Sequence, residues 1–315
     1  MQSVLFIKTS SLGDVIHHMP AVTEARLRWP GTRFGWVVEE AFAPLARLHP
    51  AVDHVIPVTM RRWRDRGFMP PVWSEIARFR RELRTRQYDA VIDTQGLLKS
   101  AVLARMARGP SYGYDTSSIK EPAASWLYDV CHAVEWNQHA IARNRALTAV
   151  ALGYQPEGPV NYGLDRASVA QSASSPYGIL LHATARAEKQ WPEDRWRALT
   201  AQLGGAIDLV VPYGSDAERE RALRIAAASP RARVPDRQPL DEVARMIAGA
   251  SFVAGVDTGL LHLAAAFGVP LVAIFVGSEP GLTGPLGTGS IKVLGANGEA
   301  PSLDEVSAAV ARVTS

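Results

Sequence analysis

Short, largely apolar runs recur along this chain and alternate with segments of helical periodicity. The runs lie at residues 4–7, 34–38, 55–58, 90–93, 178–182, 209–212, 252–256 and 271–275. Continuous apolar strands are typical of parallel sheets that are covered on both faces, whereas half-exposed strands alternate apolar and polar residues. The pattern therefore predicts an α/β fold with parallel sheets between helices.

The runs form two series, which are separated by residues 154–176, a segment rich in Gly, Pro and Ser. A chain of 315 residues also exceeds what one hydrophobic core usually organises. We therefore predict two doubly wound, Rossmann-like domains, residues 1–160 and 161–315, that face a cleft. Ligands bind beyond the carboxyl ends of the strands in such sheets, so the loops that follow the strands are the candidate sites.

Composition and charge restrict the class of protein. The single cysteine, Cys131, cannot form an internal disulfide, and no stretch approaches about 18 uncharged apolar residues, so we expect a cytoplasmic protein. Residues 59–108 contain 12 Arg or Lys and 5 Asp or Glu, a net charge of +7, whereas the whole chain carries +3. This basic region either meets an anionic partner or is a solvated, arginine-rich helical surface.

The loop of residues 8–14, Lys-Thr-Ser-Ser-Leu-Gly-Asp, leads from a predicted strand into a predicted helix. Small residues allow a ligand to approach the backbone, and a helix N-terminus offers free N–H groups and a positive dipole end. The loop matches neither a P-loop nor GxGxxG. Asp14 has two interpretations: it caps the helix, or it is a catalytic base that accepts a proton from a sugar hydroxyl.

Loops after strands of the second half carry candidate groups for binding a phosphate and the hydroxyls of a sugar. Lys189 lies just before a helix and can neutralise a phosphate, although most single lysines are simply exposed surface residues. The N–H groups of Thr258 and Gly259 open another helix and would point at an anion. Asp257 would repel a phosphate, so it more plausibly accepts hydrogen bonds from sugar hydroxyls.

Two further residues of the second half are ambiguous on local grounds. Glu218 follows a predicted strand and either binds a ribose diol or is a first-turn acid that faces the helix dipole. His262 lies one helical turn after Thr258, and it is either a structural histidine or a ligand-binding one.

The sequence gives little support for a metal site or a serine hydrolase. His17 and His18 are adjacent and so point in different directions on a helix, and neither HExxH, CxxC nor GxSxG occurs. We therefore expect no bound metal.

A set of short segments follows one another in a characteristic order and spacing. They are residues 8–14 (KTSSLGD), 36–40 (WVVEE), 55–58 (VIPV), 61–64 (RRWR), 88–93 (YDAVID), 95–97 (QGL), 99–101 (KSA), 121–122 (EP), 181–184 (LHAT), 189–192 (KQWP) and 256–259 (VDTG). Over nearly the whole chain this set resembles lipopolysaccharide heptosyltransferase I, of glycosyltransferase family 9. The Arg-Arg-Trp-Arg segment favours the first heptosyltransferase over the second.

The resemblance implies a GT-B fold, in which two Rossmann-like domains face a cleft and a last helix often packs back on the first. It implies an inverting transfer of L-glycero-D-manno-heptose from ADP-heptose to the first Kdo of Kdo2-lipid A, in inner-core synthesis, without a metal or other cofactor. The acceptor would bind the first domain and the nucleotide sugar the second. The enzyme would be cytoplasmic and peripheral on the inner face of the inner membrane.

By position, the resemblance assigns Asp14 as the catalytic base and Lys189 as the phosphate-binding lysine. Asp257 would face the heptose and Glu218 the ribose, and the segment around Gln238 matches the one beside the adenine. The remaining donor-binding residues would be Thr184, Thr258, Gly259 and His262. The acceptor's acidic groups would bind Arg61, Arg62, Arg64 and Lys120.

The chain departs from the family pattern at three positions. Ala185 replaces a second hydroxyl after Thr184, Lys120 stands where an arginine is usual, and Asp65 interrupts the basic run. Ala185 removes one expected phosphate contact, and a lysine keeps the charge of an arginine but loses its bidentate fork.

Three alternative functions remain open at this stage. The first is a glycosyltransferase of the same fold with a different nucleotide-sugar donor or acceptor. The second is a nucleic-acid-binding protein that uses the arginine-rich region, which we do not expect because basic patches alone are common. The third is an inactive nucleotide-sugar-binding scaffold, against which the presence of both Asp14 and Lys189 argues.

Overall fold

The computed structural model describes residues 1–67, 69–171, 175–184 and 186–315. The chain divides into two compact units, Met1–Gly163 and Leu164–Ser315. This division lies close to the boundary at residues 160 and 161 that the sequence predicts. The assignment of acceptor binding to one unit and donor binding to the other stays a prediction.

The first unit is one parallel sheet with helices between its strands. Its elements are β1 (Ser3–Ile7), α1 (Leu12–Arg28), β2 (Arg33–Glu39), α2 (Ala43–Arg47), β3 (His54–Val58), α3 (Met60–Arg66), α4 (Pro70–Leu83), β4 (Ala90–Asp93), α5 (Leu98–Met106), β5 (Ser111–Tyr114), β6 (Val130–His132) and α6 (Ala140–Leu152). The strand order is β3-β2-β1-β4-β5-β6, and every pair is parallel.

The second unit repeats this arrangement. Its elements are α7 (Arg166–Val169), β7 (Tyr177–Leu181), α8 (Glu193–Leu203), β8 (Asp208–Val210), α9 (Asp216–Ala226), β9 (Ala232–Arg233), α10 (Leu240–Gly249), β10 (Phe252–Val256), α11 (Gly259–Ala266), β11 (Leu271–Ile274), β12 (Ile291–Leu294) and α12 (Leu303–Thr314). The order β12-β11-β10-β7-β8-β9 is again wholly parallel. Both sheets therefore have Rossmann-type connectivity, and the predicted fold class is confirmed.

In each sheet the strand order runs outward to one side and then, from a neighbouring central strand, outward to the other side. The two central strands are β1 and β4 in the first sheet and β7 and β10 in the second. In the first sheet β1 lies between β2 and β4, with Val4 in register with both Phe34 and Ala90. In the second sheet β7 lies between β8 and β10. These switch points are where doubly wound sheets bind ligands, because the loops after the two strands separate there.

The central strands are apolar on both faces because helices cover both. All five residues of β10 are buried, as are all of β1 except its first residue. The core of the second unit includes Trp191 and Trp196, whose rings meet edge to face at 5.0 Å.

The last helix, α12, belongs to that same core. Val306, Val310 and Val313 are buried in it beside strands of the second sheet. The apolar face of α12 thus covers the second sheet. The packing of a last helix on the first domain, which the resemblance implies, stays a prediction. No helix among the described residues is long and apolar enough to cross a membrane.

Candidate active site

In the first unit, Asp14 occupies the third position of helix α1. Its Oδ2 accepts hydrogen bonds from the backbone N–H of Ser11 at 2.6 Å and from Ser11 Oγ at 3.0 Å. The carboxylate therefore completes a capping box at the start of α1, as the capping interpretation predicts. The side chain is half-buried, so it is still open to a ligand, and the role of base stays a prediction.

The loop between β1 and α1 is held by a neighbouring loop. Gln95, which follows β4, accepts hydrogen bonds at its Oε1 from the N–H groups of Thr9 at 3.0 Å and Ser10 at 3.1 Å. The backbone N–H of Gln95 is bound in turn by Asp93 Oδ1 at 2.8 Å. Sequence reasoning used Gln95 only as part of a family segment and did not predict these contacts.

A buried lysine lies beneath the same loop. Lys8 is 6% exposed, and its Nζ donates to Thr94 O at 2.8 Å and to Asn144 Oδ1 at 3.4 Å. Burial lowers the pKa of Lys8, although the carboxylates of Asp14 and Asp93 oppose that shift. The first switch point thus combines a buried cation with the half-buried Asp14.

The arginines predicted for the acceptor have different surroundings on α3. Arg62 bridges two carboxylates, Glu40 at 3.3 Å and Glu75 at 3.2 Å, so it also ties α3 to neighbouring elements. The Arg61 guanidinium lies 5.5 Å from the centre of the Phe42 ring.

The two remaining acceptor candidates are exposed. Arg64 pairs with Asp65 at 3.1 Å, so the departure at Asp65 partly neutralises it. Lys120 follows β5, whereas α3 follows β3 at the opposite edge of the sheet. The structure therefore groups the three arginines on one helix and places Lys120 on a different loop.

In the second unit, four of the predicted donor-binding residues converge at the second switch point. Lys189 Nζ donates a hydrogen bond to Asp257 Oδ2. Thr184 Oγ1 donates to the backbone oxygen of Asp257 at 3.0 Å, and His262 Nε2 lies 3.9 Å from Asp257 Oδ1. Ser278 Oγ also donates to Asp257 Oδ2, at 2.7 Å, a contact that sequence reasoning did not predict.

Asp257 is the centre of this cluster, and its side chain is 9% exposed. Burial by itself would raise the pKa of Asp257. The hydrogen bonds from Lys189 and Ser278 and the charge of Lys189 outweigh burial and hold the pKa of Asp257 below its usual value. The cluster therefore holds an ionised carboxylate beside a lysine, where a sugar hydroxyl and a phosphate can each find a partner.

Thr258 and Gly259 form the beginning of α11, as predicted. Thr258 is the N-cap residue, and the helix runs from Gly259 to Ala266. The first N–H groups of a helix lack partners within it, so they point with the positive end of the dipole toward the space beyond β10. Such a terminus favours an anion, in keeping with the prediction of a donor-phosphate turn.

Glu218 lies in the first turn of α9 and takes part in local capping. Its carboxylate accepts from the backbone N–H of Gly214 at 2.7 Å, and its own N–H donates to Ser215 Oγ at 3.3 Å. The structural interpretation of Glu218 is therefore realised, and ribose binding stays a prediction. Gln238 is exposed in the segment before α10, and Ala185 lies outside the described residues.

An arginine that sequence reasoning missed supports the Lys189 loop. Arg221, on α9, donates to the backbone oxygens of His182 at 3.3 Å and Trp191 at 2.6 Å, and to Gln190 Oε1 at 2.7 Å. These contacts join both ends of the loop between β7 and α8 to the neighbouring helix. Only its spacing from Glu218, one helical turn earlier, would have drawn attention to Arg221.

The described residues hold no group of three His, Cys, Asp or Glu side chains that could bind a metal ion. The charged features of the second switch point are Lys189, the ionised Asp257 and the N-terminus of α11. Its chemistry suits an anionic ligand that carries hydroxyl groups.

Comparison with known proteins gives one consistent family. The model of glycosyltransferase family 9 (heptosyltransferase) matches residues 76–310. Lipopolysaccharide heptosyltransferase 1 of Salmonella typhimurium is 45% identical over 289 residues, which cover 90% of this chain and 91% of that protein.

Solved structures agree with the sequence match. The E. coli heptosyltransferase WaaC with ADP superposes with a TM-score of 0.94 at 40% identity, covering 99% of both chains. WaaC with ADP-2-deoxy-2-fluoro heptose gives a TM-score of 0.87 at 41% identity, covering 99% of this chain and 98% of that one. These proteins are similar to the present chain throughout both units.

Proposed function

The chain belongs to glycosyltransferase family 9, and on that premise we propose that it transfers L-glycero-D-manno-heptose from ADP-heptose to the first Kdo of Kdo2-lipid A. The similarity to heptosyltransferase 1 over 90% of the chain, and to structures with ADP and an ADP-heptose analogue, supports this donor and acceptor. The observation that carries the proposal is the cluster of Lys189, Asp257 and Ser278 beside the N-terminus of α11.

The donor binds the second unit in this proposal. The diphosphate lies against Lys189, the hydroxyl of Thr184 and the N–H groups of Thr258 and Gly259, since a cation and a helix N-terminus both favour an anion. Asp257 accepts hydrogen bonds from the heptose hydroxyls, with His262 beside it. Glu218 accepts hydrogen bonds from the ribose.

The reaction is a single in-line displacement. Asp14 removes the proton from the attacking Kdo hydroxyl as that oxygen bonds to the anomeric carbon and the bond to the ADP oxygen breaks. The configuration inverts, and the positive groups of the second unit stabilise the charge that develops on ADP. Asp14 comes from the first unit and the donor contacts come from the second.

We further propose that these fixed groups make a metal ion unnecessary. Lys189 and the α11 N-terminus supply positive charge where a divalent cation would otherwise neutralise the diphosphate. Turnover should therefore be unchanged after dialysis against EDTA and should not rise when Mg²⁺ is restored. A rate that falls with EDTA and recovers with a metal would contradict this part of the proposal.

The acceptor binds the basic surface of the first unit, and this surface also brings the enzyme to the membrane as a peripheral protein. Arg61, Arg62, Arg64 and Lys120 hold acidic groups of the acceptor. Arg80 and Arg81 on α4 line one groove with Arg84, which directly follows that helix, and Trp73 on α4 is 55% exposed. A basic helix with an exposed aromatic residue suits an anionic lipid surface. Replacing the three groove arginines by Glu should abolish sedimentation with anionic vesicles.

Product analysis tests the function itself. Incubation with ADP-heptose and Kdo2-lipid A should yield ADP and an acceptor heavier by one heptose. UDP- and GDP-sugars offered in parallel should give no product. Transfer from another nucleotide sugar, with none from ADP-heptose, would favour the alternative of a same-fold transferase with a different donor.

A further inference from the structure

Three consecutive N–H groups of the β1–α1 loop are bound by side-chain oxygens of the protein itself. Gln95 Oε1 accepts from Thr9 at 3.0 Å and from Ser10 at 3.1 Å, and Asp14 Oδ2 accepts from Ser11 at 2.6 Å. In Rossmann-type folds the corresponding N–H groups are the ones that bind a phosphate. Here protein oxygens occupy that role, so the N–H groups of this loop fix the loop rather than bind a nucleotide.

Gln95 is itself held firmly. Asp93 Oδ1 binds the N–H of Gln95 at 2.8 Å and that of Gly96 at 3.4 Å, and Tyr128 donates to Asp93 Oδ2 at 2.7 Å. Gly96 has a φ of +67°, and a Cβ there would approach Ile119 at 3.2 Å and Tyr114 at 3.3 Å. The backbone thus makes a tight turn that favours glycine and that aims the Gln95 carboxamide at the β1–α1 loop.

Asp14 depends on the position of this loop. Its carboxylate is bonded to Ser11, and the preceding residue, Ser10, is bonded to Gln95. A shift of the loop would therefore move the Ser11 N–H, and the Asp14 carboxylate that is bonded to it would move as well. Misplacement of a reacting group by about 1 Å can cost about 100-fold in rate.

We propose that Gln95 is a positioning residue for the base Asp14, whose carboxamide oxygen fixes the loop that presents Asp14 to the acceptor hydroxyl. The proposal rests on the proposed function, because it concerns the base of that reaction. Gln95 does not touch the reacting atoms. It acts through the N–H groups of Thr9 and Ser10 alone.

Two substitutions separate positioning from simple stability. Gln95→Met removes the acceptor while keeping side-chain length, and Gln95→Glu keeps an acceptor oxygen at the same position. Gln95→Met should lower kcat by on the order of 100-fold and leave KM for ADP-heptose unchanged, since the donor binds the second unit. Gln95→Glu, assayed near pH 8 where carboxyl groups are ionised, should restore most of the lost kcat. Gln87→Met, at an exposed position outside the site, is the matched control and should behave as wild type.

Amide hydrogen exchange provides a readout that is independent of activity. The Thr9 and Ser10 N–H groups should exchange faster in Gln95→Met than in wild type, and at the wild-type rate in Gln95→Glu. Wild-type kcat in Gln95→Met would overturn the proposal, as would equal loss of kcat in Met and Glu variants of wild-type stability. Failure of the proposed function is distinguishable, because it would appear as absent heptosyl transfer in the wild-type enzyme.

Discussion

Lys189 donates a hydrogen bond to Asp257, so the lysine predicted for the donor phosphate and the acid predicted for the donor sugar form an ion pair with each other. Both side chains are mostly buried, at 16% and 9% exposed. A donor phosphate must therefore compete with the Asp257 carboxylate for the Lys189 ammonium. The pair keeps the site nearly neutral before the donor binds, and it keeps the Asp257 carboxylate ionised and ready for a sugar hydroxyl.

This competition gives opposite expectations for ADP and for ADP-heptose. Asp257→Asn should bind ADP more tightly than wild type, by about 1 kcal/mol, because Lys189 is freed and a negative charge near the phosphates is removed. The same variant should turn over ADP-heptose more slowly, because the sugar loses its acceptor. Titration calorimetry with ADP and steady-state kinetics check both, with Asp304→Asn, at an exposed position outside the site, as the control. Weaker ADP binding by Asp257→Asn would refute the competition.

Glu218 should contribute to donor binding and not to the chemical step. Glu218→Ala should raise KM for ADP-heptose roughly fivefold, equivalent to about 1 kcal/mol, while kcat at saturation stays near wild type. Glu220→Ala, two residues along on the exposed side of α9, is the control for lost helix charge. Equal KM values in the two variants would show that Glu218 does not bind the donor and that its carboxylate serves only to bind the Gly214 N–H.

Arg61 and Arg62 should differ although they are neighbours in sequence. Arg62 bridges Glu40 and Glu75, so Arg62→Ala should lower Tm as well as raise KM for Kdo2-lipid A. Surface ion pairs are individually weak, so the decrease in Tm should be small. Arg61→Ala should raise the acceptor KM with a smaller decrease in Tm, because Arg61 contacts the Phe42 ring and forms none of the ion pairs that the described residues show. Thermal unfolding followed by acceptor kinetics separates the two, and identical Tm shifts would contradict the difference.

His49 should make the stability of the first unit depend on pH. Its ring is buried, with Nε2 3.0 Å from Thr23 Oγ1 and 3.2 Å from Met19 O. Burial lowers the pKa of His49 to about 4, although hydrogen bonds with backbone groups oppose that shift. The unfolded chain therefore binds a proton more readily than the folded chain does. The free energy of unfolding has its full value above about pH 6.5, and it decreases by roughly 3 kcal/mol as the pH falls toward 4.

His49→Gln isolates this contribution. Urea unfolding at about pH 7 and pH 5 should show a smaller loss of stability in the variant than in wild type, because glutamine does not titrate in this range. His182, whose pKa burial also lowers to about 4, stays in both proteins and cancels in the comparison. The same pH dependence in variant and wild type would show that His49 is not responsible.

Much of the fold could be predicted because its central strands are continuous apolar runs. The bounds of β4 and β10 agree with the apolar runs at residues 90–93 and 252–256. Strands β5 and β6, with the sequences SYGY and VCH, were missed because they contain no apolar run. The apolar periodicity of residues 73–86 predicts a helix there, and the observed helix α4 runs from Pro70 to Leu83, because proline is well suited to a first helical position.

The candidate site could be located by sequence but not assembled by it. Asp14, Lys189 and Asp257 were recognisable because polar residues in the segments that lead from a buried strand into the next helix lie at the ligand-binding edge of a parallel sheet. The pairing of Lys189 with Asp257 joins residues 68 positions apart, so only the folded sheet determines it. Gln95 and Ser278 were missed for the same reason, since each acts on a partner that is remote in sequence.

The central claim concerns Asp14, which caps α1 in the structure and is proposed to act as the base. Asp14→Asn separates the two roles, because the amide oxygen can still accept from the Ser11 N–H while the side chain can no longer take a proton. Asp14→Ala removes both and should also cost about 1 kcal/mol of stability.

The most direct measurement is kcat of Asp14→Asn with ADP-heptose and Kdo2-lipid A, beside its Tm and its affinity for ADP. We predict a kcat lower by on the order of 100- to 10,000-fold, with Tm and ADP binding close to wild type. Near-normal turnover by this variant would show that Asp14 is a helix cap only, and it would remove the base from the mechanism.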